Sequence, residues 1–282
     1  MTWERFGYIC RRASVDRKAA ESISECLSRI ENDKACELYG NRIPSNSFPR
    51  KILNEISRID SGDEAQKALG VYKELNLSQH FEEPMRFKRV VAYLGYVTFI
   101  FYVVVGIYQL KVAPSFLEAF ENFDIQIPSH LTFYQDYWGY FVLIVSIILI
   151  SALIIGSQLK KLFNFGLGQK NSWVVRFLVF PTIRRSYIKV INILQFPVLA
   201  DSASVDSEAS LTINHLKNIK ESKLDISREM QELIEIEMRV LLESCEKQMK
   251  YISIAVALIV VAAVFLFLAS AYSPIFILGE TV

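Results

Sequence analysis

Three stretches of this chain contain no Asp, Glu, Lys, Arg or His: Val90 to Leu110, Trp138 to Ser157 and Tyr251 to Ser273. Each supplies the roughly 20 apolar residues that a helix needs to cross the hydrocarbon of a bilayer. Inside a bilayer the backbone N–H and C=O groups must be satisfied within the protein, and a helix does this within one segment. A core helix of a water-soluble domain would show a polar face over such a length. The chain is therefore predicted to be an all-α membrane protein with transmembrane helices at 90–110, 138–157 and 251–273.

The charges between these runs orient them. Arg86, Lys88 and Arg89 precede the first. Val112 to Tyr137 carries Glu118, Glu121, Asp124 and Asp136 and no Lys or Arg. Gln158 to Asn192 carries Lys160, Lys161, Lys170, Arg176, Arg184, Arg185 and Lys189 and no acid. Lys247 and Lys250 precede the third run, and the tail beyond Ser273 carries only Glu280. Cytoplasmic loops collect Lys and Arg. The expected order is a cytoplasmic domain at 1–89, an outer loop at 111–137, a second cytoplasmic domain at 158–250 and an outer tail at 274–282. Tyr137, Trp138 and Tyr140 stand where an aromatic belt would anchor the second span. The first residues, Met1-Thr2-Trp3-Glu4-Arg5-Phe6, lack the apolar core and small-residue cleavage site of a signal peptide.

Both cytoplasmic domains read as small helix bundles. Ser14 is a candidate cap for a helix through Ala19, Ile23 and Leu27 to Ile30. Gly40 to Pro49 is rich in turn formers and reads as a loop. Ile52, Ile56 and Ile59 follow at helical spacing, Gly62 permits a break, Glu64 to Leu75 is a further helix, and Pro84 marks a bend. In the second domain Trp173, Val174, Phe177, Leu178 and Phe180 alternate with Lys170 and Arg176. Two readings fit that basic amphipathic stretch: it lies on the inner leaflet, or it packs on its own domain. Pro181 and Pro197 frame a helix over Tyr187 to Leu194, and Ser202 to Ser210 is a linker or a helix start. From Asp225 the pattern is helical, with an apolar stripe of Met230, Leu233, Ile234, Val240 and Leu241. No breaker lies between Ser227 and the third span, so one helix is expected to run into the membrane. Glu229, Glu232, Glu235 and Glu237 offer either an acidic docking face or a solvated surface.

The chain also carries two degenerate copies of one unit. Ala13-Ser14-Val15-Asp16 recurs as Ala203-Ser204-Val205-Asp206, Asp60-Ser61-Gly62 as Glu221-Ser222-Lys223, and Pro114-Ser115-Phe116 as Pro274-Ile275-Phe276. The ordered set suggests a scaffold built by duplication. The second domain is shorter between its first two elements by about two short helices, so it is expected to need a partner surface over its core. Lys223 stands where glycine would permit positive φ, so the second turn is expected to differ from the first.

These elements resemble the inner-membrane platform proteins of type II secretion and type IV pilus systems, the type II secretion system F family. The resemblance rests on Pro114 and Phe116, then Phe120, then Ile127-Pro128 ahead of the second span, on Glu221-Ser222 in a worn Gly-Glu-x-Ser-Gly-like element, and on Pro274 and Phe276. The chain looks like a short, divergent member. The resemblance implies a multi-pass protein of the bacterial inner membrane, N-terminus cytoplasmic, C-terminus periplasmic, forming homo-oligomers. It also implies a role in coupling a hexameric assembly ATPase to pilin or pseudopilin subunits, beside other inner-membrane assembly proteins and lipid. Glu229, Glu232, Glu235 and Glu237, with Arg184 and Arg185, are the candidate docking residues.

Other classes fit less well. A net charge of +1 gives no field for nucleic acid. There is no Gly-x-x-x-x-Gly-Lys-Ser/Thr loop, nucleophile elbow or His-Glu-x-x-His motif. No catalytic, cofactor-binding or metal-ligating residue is assigned, and the chain reads as a non-enzyme. His80, His130 and His215 are isolated, and Cys10, Cys26, Cys36 and Cys245 form no C-x-x-C pair and read as small helix residues. The alternative is a small oligomeric transporter or channel subunit, which would place ionisable residues or broken helices at mid-membrane. Ala152 with Gly156, and Ala269 with Ser273, are four apart and are candidate helix contacts.

Overall fold

The structure is a computed structural model and describes residues 2–18, 21–79, 81, 85–122, 129–166, 168, 172–199 and 210–281. The expectations at Ala19, His80, Pro84, Asp124, Ile127, Pro128, Lys170 and Ala203 to Asp206 lie outside the described residues. In chain order the helices are α1 (Thr2–Val15), α2 (Ile23–Glu31), α3 (Phe48–Ser57), α4 (Gly62–Glu74), α5 (Met85–Ile107), α6 (Ala113–Asn122), α7 (Ser129–Leu162), α8 (Trp173–Phe177), α9 (Pro181–Leu199), α10 (Ser210–Glu221) and α11 (Ile226–Thr281). A 3₁₀ segment, Lys34–Tyr39, follows α2, and a π turn, Tyr108–Val112, joins α5 to α6. No strand occurs among the described residues; an isolated antiparallel bridge joins Ser47 to Gly166.

The chain divides into two compact units. Met1–Pro84 and Gln158–Glu246 form a helical unit, and Met85–Ser157 and Lys247–Val282 form a membrane unit. Where the sequence predicts separate bundles at 1–89 and 158–250, one unit closes from both. The helices of the first segment pack on one another, and the short second segment finds cover in α3 and α4, which pack on α9.

The helix expected from Ser14 to Ile30 is in fact two. Trp3, Phe6, Ile9, Cys10 and Ala13 form the buried side of α1, and Ser14 ends it, its Oγ donating to Arg11 O at 2.8 Å. The cap of α2 is Ser22. Its Oγ accepts from Glu25 N at 3.2 Å while the Glu25 carboxylate accepts from Ser22 N at 3.0 Å. That reciprocal pair satisfies two donors at once, which Ser14 has no partner to do. Gly62 does more than permit a break: it opens α4 behind Ser61, whose Oγ accepts from Glu64 N at 3.4 Å.

Arg5 is a buried charge, 2% exposed, on the apolar side of α1. Its guanidinium donates to Glu31 O at 3.0 Å and to Gly40 O at 2.7 Å. These carbonyls close α2 and follow the 3₁₀ segment, where orphan acceptors and the negative helix end both favour a cation. The Glu31 carboxylate in turn takes a two-pronged bond from Arg50 of α3, with Nη1 to Oε2 at 2.8 Å. Hydrogen bonding to Arg50 holds the Glu31 carboxyl below the usual range.

The two segments meet in an aromatic core. Trp3 stacks on Phe81 at 4.6 Å, and Phe81 and Trp3 both meet Phe165 edge-on, at 4.6 and 6.2 Å. Phe165 stacks on Tyr187 of α9 at 5.3 Å, and its carbonyl accepts from Phe48 N at 3.0 Å. Its φ is +45°, a conformation that a bulky side chain opposes. Beside this core, Tyr72 Oη donates to Leu194 O of α9 at 2.5 Å. The Tyr187 hydroxyl is buried with no hydrogen-bond partner among the described residues. Burial pushes both phenols up in pKa. Pro181 opens α9 as expected, but Pro197 lies inside it, near the end, where one lost backbone bond is tolerated.

In the membrane unit three helices are long and apolar enough to cross a bilayer, within Arg89–Asn122, Asp136–Leu162 and Ile226–Ala269. The first two contain their predicted runs whole and the third covers its run as far as Ala269, but the ends differ. Pro114 does not end the first helix; it follows the π turn, in which Ala113 N bonds to Tyr108 O. That wide turn makes room for the proline ring, and helix continues to Asn122. The 111–137 loop is thus helical at both ends, and the 274–282 tail is helical to Thr281, with Pro274 inside α11. Tyr108 packs on Trp138 at 5.1 Å and on Phe267 at 5.3 Å. Gly156 permits close approach: a Cβ there would lie 3.1 Å from Val91 Cγ2 and 3.4 Å from Met249 Cε. The Ala152–Gly156 pair therefore marks a contact within one chain, while Ala269 is exposed. Thr98 and Ser146 donate their hydroxyls to Leu94 O and Val142 O, one turn back, and so satisfy these two groups within their own helices.

Two tests follow from the helical unit. Tyr72→Phe is expected to cost about 1 kcal/mol and Tyr187→Phe nothing or less, because only the first loses a hydrogen bond. Denaturant titration of the detergent-solubilised protein, read by near-ultraviolet circular dichroism, checks the contrast. Glu31 has a depressed folded pKa, so its contribution is present above the ordinary carboxylate value and is lost as pH falls through the folded one. Glu31→Gln is expected to lower stability at neutral pH and to flatten its decline below about pH 4, measured by the same titration across pH.

Candidate partner-binding surface

The acids expected to form a docking face lie on the first part of α11. Asp225 caps it, Oδ1 accepting from Ser227 N at 3.0 Å and Arg228 N at 3.2 Å. The buried stripe is Met230, Ile234, Met238, Leu241 and Cys245. Leu233 and Val240 stand at its edge, half-buried and 36% exposed, because steps of 3.6 residues per turn carry them off the stripe's centre.

The same periodicity sorts the four glutamates. Glu237 falls on the buried side, its side chain 15% exposed, and its Oε1 lies 2.7 Å from Lys189 Nζ of α9. Glu229 lies 2.7 Å from His215 Nε2 of α10, so His215 is not isolated. These two acids tie α11 to its neighbours and are not a free docking face. Glu232 and Glu235 point away from the stripe, paired with Arg228 at 3.4 Å and Arg239 at 3.1 Å. The outward surface thus carries both signs, with Glu232 and Glu235 between Arg228 and Arg239. Exposed pairs of this kind contribute little to stability and leave four charged groups for an incoming partner. Arg184 and Arg185 are exposed on the first turns of α9.

Beside them the basic amphipathic stretch is turned inside out. Val175 and Val179 are buried, whereas Trp173 is 66% and Phe177 62% exposed. The two rings lie 5.5 Å apart at a tilt of 45°, and the Arg176 guanidinium lies 5.5 Å from the centre of Phe177. Sequence alone does not choose between its two faces, since both are apolar.

The residues that carry the family resemblance are scattered. Pro114 is exposed, Phe116 half-buried, Phe120 buried and Phe276 71% exposed. Pro128 lies outside the described residues, as do the side chains of Pro274 and His130. Asp60-Ser61-Gly62 opens a helix, but Glu221-Ser222-Lys223 ends one: Ser222 N bonds to Asn218 O and Leu224 N to Ile219 O. Lys223 takes φ +55°, so the turn keeps the left-handed residue that glycine would occupy without strain. The structure does not show the internal repeat.

Within the membrane unit a cavity of about 260 Å³ lies against Tyr96, Phe101, Val104, Trp138, Val264 and Phe267, among others, with an almost wholly apolar lining. In the helical unit a polar groove of about 330 Å³ runs past Glu4, Arg11, Tyr39, Asn76 and Ser78. No three His, Cys, Asp or Glu side chains converge as a metal site among the described residues. No protein-family model, curated protein or solved structure matches the chain.

The Lys189–Glu237 pair is expected to behave as a part-buried tie. A double-mutant cycle with Lys189→Met and Glu237→Gln should give a coupling of about 1 kcal/mol that survives added salt, whereas Arg228 with Glu232 should give near zero. Denaturant titration at low and high salt measures both.

Proposed function

We propose that this protein is a non-catalytic membrane platform that couples a cytoplasmic assembly ATPase to pilin-like subunits in a type IV pilus or type II secretion machine. The observation that supports the reading best is α11. One helix carries a polar, partner-accessible stretch and a span, with no Gly or Pro between Ile226 and Ser273. A load applied at Glu232 and Glu235 then reaches the span without a hinge. The positive-inside pattern supports a cytoplasmic helical unit, and the family resemblance points to a bacterial inner membrane.

Charge steers the ATPase contact. The strip on α11, with Arg184 and Arg185 on α9, offers both signs, and such a surface fixes register more than it adds affinity. Buried residues make up only 11, 22 and 6% of the most apolar windows of the three membrane helices. Much apolar surface is left for lipid, for pilin and for further copies of the chain. The transporter reading gains less support, because the cavity among the spans is apolar and lined by no ionisable acid or base.

Photo-crosslinking in cells tests the proposal, with the reactive group at position 232 or 184 and, separately, within the spans. Recovery of a secretion-type ATPase from the first pair and of pilin-like proteins from the spans is the expected result. Self-crosslinks alone, in cells that express the machine, would overturn it. Glu232→Lys with Glu235→Lys should abolish assembly while leaving the level of protein in the membrane unchanged.

A further inference from the structure

The aromatic pair on α8 faces water, whereas Trp3, Phe6, Tyr72, Phe81, Phe165 and Tyr187 of the same unit are buried. A Trp and a Phe exposed together cost the unit hydrophobic free energy, and exposed apolar patches of this kind mark docking surfaces. Their setting is basic. Gln158 to Ala200 holds seven Lys and Arg and no Asp or Glu. Lys189 is committed to Glu237, but Arg176 and Arg184 are exposed, one among the rings and one on the next helix. The patch also begins only 16 residues beyond Ser157, the last residue of the second apolar run, so it is tethered to the bilayer at high local concentration.

We propose that the face formed by Trp173, Arg176 and Phe177, with Arg184, docks on the anionic phospholipid headgroups of the membrane that the second span crosses. Trp and Phe rings settle at the boundary between headgroup and acyl chain, while the guanidinium groups meet lipid phosphates as charge-assisted pairs. The buried side, Val175, Val179 and Ile183, keeps the segment seated on its own unit throughout. Docking requires nothing of an ATPase or a pilin, and it stands or falls separately from the platform reading.

The full chain is reconstituted in nanodiscs made with brominated lipids, either phosphatidylcholine alone or phosphatidylcholine with an equal part of phosphatidylglycerol. Trp173 emission is obtained by difference from the Trp173→Phe variant, a single exposed substitution that leaves Trp3 and Trp138 as internal references. The expected result is quenching of the Trp173 share when phosphatidylglycerol is present and its loss at high salt. Arg176→Gln and Arg184→Gln should each lower the docked-to-undocked ratio by about fivefold, the equivalent of about 1 kcal/mol per charge at an anionic surface. An unquenched Trp173 in both lipids would overturn the proposal and point to a protein partner for the patch. Equal quenching in both lipids, unmoved by the arginine variants, would overturn the headgroup assignment.

Discussion

Phe165 is the residue on which the helical unit closes. It comes just after α7, at φ +45°, and nothing local favours that conformation for a bulky ring. The conformation holds because every part of the residue is used. Its carbonyl takes the Phe48 N–H, one face lies on Tyr187, and its edges meet Phe81 and Trp3. Backbone strain of about 1–3 kcal/mol is small beside the burial of that many rings. Through this one position the stretch after the second span is fastened to the stretch before the first, and α9 then reaches Tyr72 and the faces of α3 and α4.

What the sequence made legible follows from which signals are local. Three runs without charge leave one solution in a bilayer, and each proved to be helix. The absence of Gly and Pro from Ser227 to Ser273 likewise marks a continuous helix, as α11 is over that stretch. Signals that depend on distant partners were not legible. Ser14 and Ser22 are both plausible caps, and Glu25 three residues after Ser22 decides between them. The glutamates of α11 look like one acidic face until Lys189 and His215 arrive from other helices and take two of them inward. Phe165 has no signal at all, because its conformation is imposed by rings from three other places in the chain, Trp3, Phe81 and Tyr187, and by the Phe48 N–H. The joining of the two segments in one compact unit was not legible for the same reason, since a core is built from faces that lie far apart along the chain.

Prolines illustrate the limit from the other side. In water, Pro114 and Pro274 would be strong reasons to end a helix. In the membrane unit the alternative to helix is backbone without hydrogen-bond partners, so the helix bends its register at Tyr108–Val112 and goes on. Gly156 shows the converse, a small residue whose meaning is packing, where its missing side chain lets Val91 and Met249 come close.

The discontinuous helical unit has a consequence for how the protein is made. Its core needs Phe165, Tyr187 and Leu194, which the ribosome adds long after α1 to α4 have emerged. At roughly 5–20 residues per second, synthesis from Pro84 to the end of the unit near Glu246 takes on the order of 10–30 s. During that interval Trp3 and Phe81 lack Phe165, and Tyr72 lacks the Leu194 carbonyl, while a helical hairpin is being handed to the membrane. The nascent chain must therefore hold an unfinished aromatic surface in solution, and chaperone binding at this stage would be timed by insertion of the hairpin.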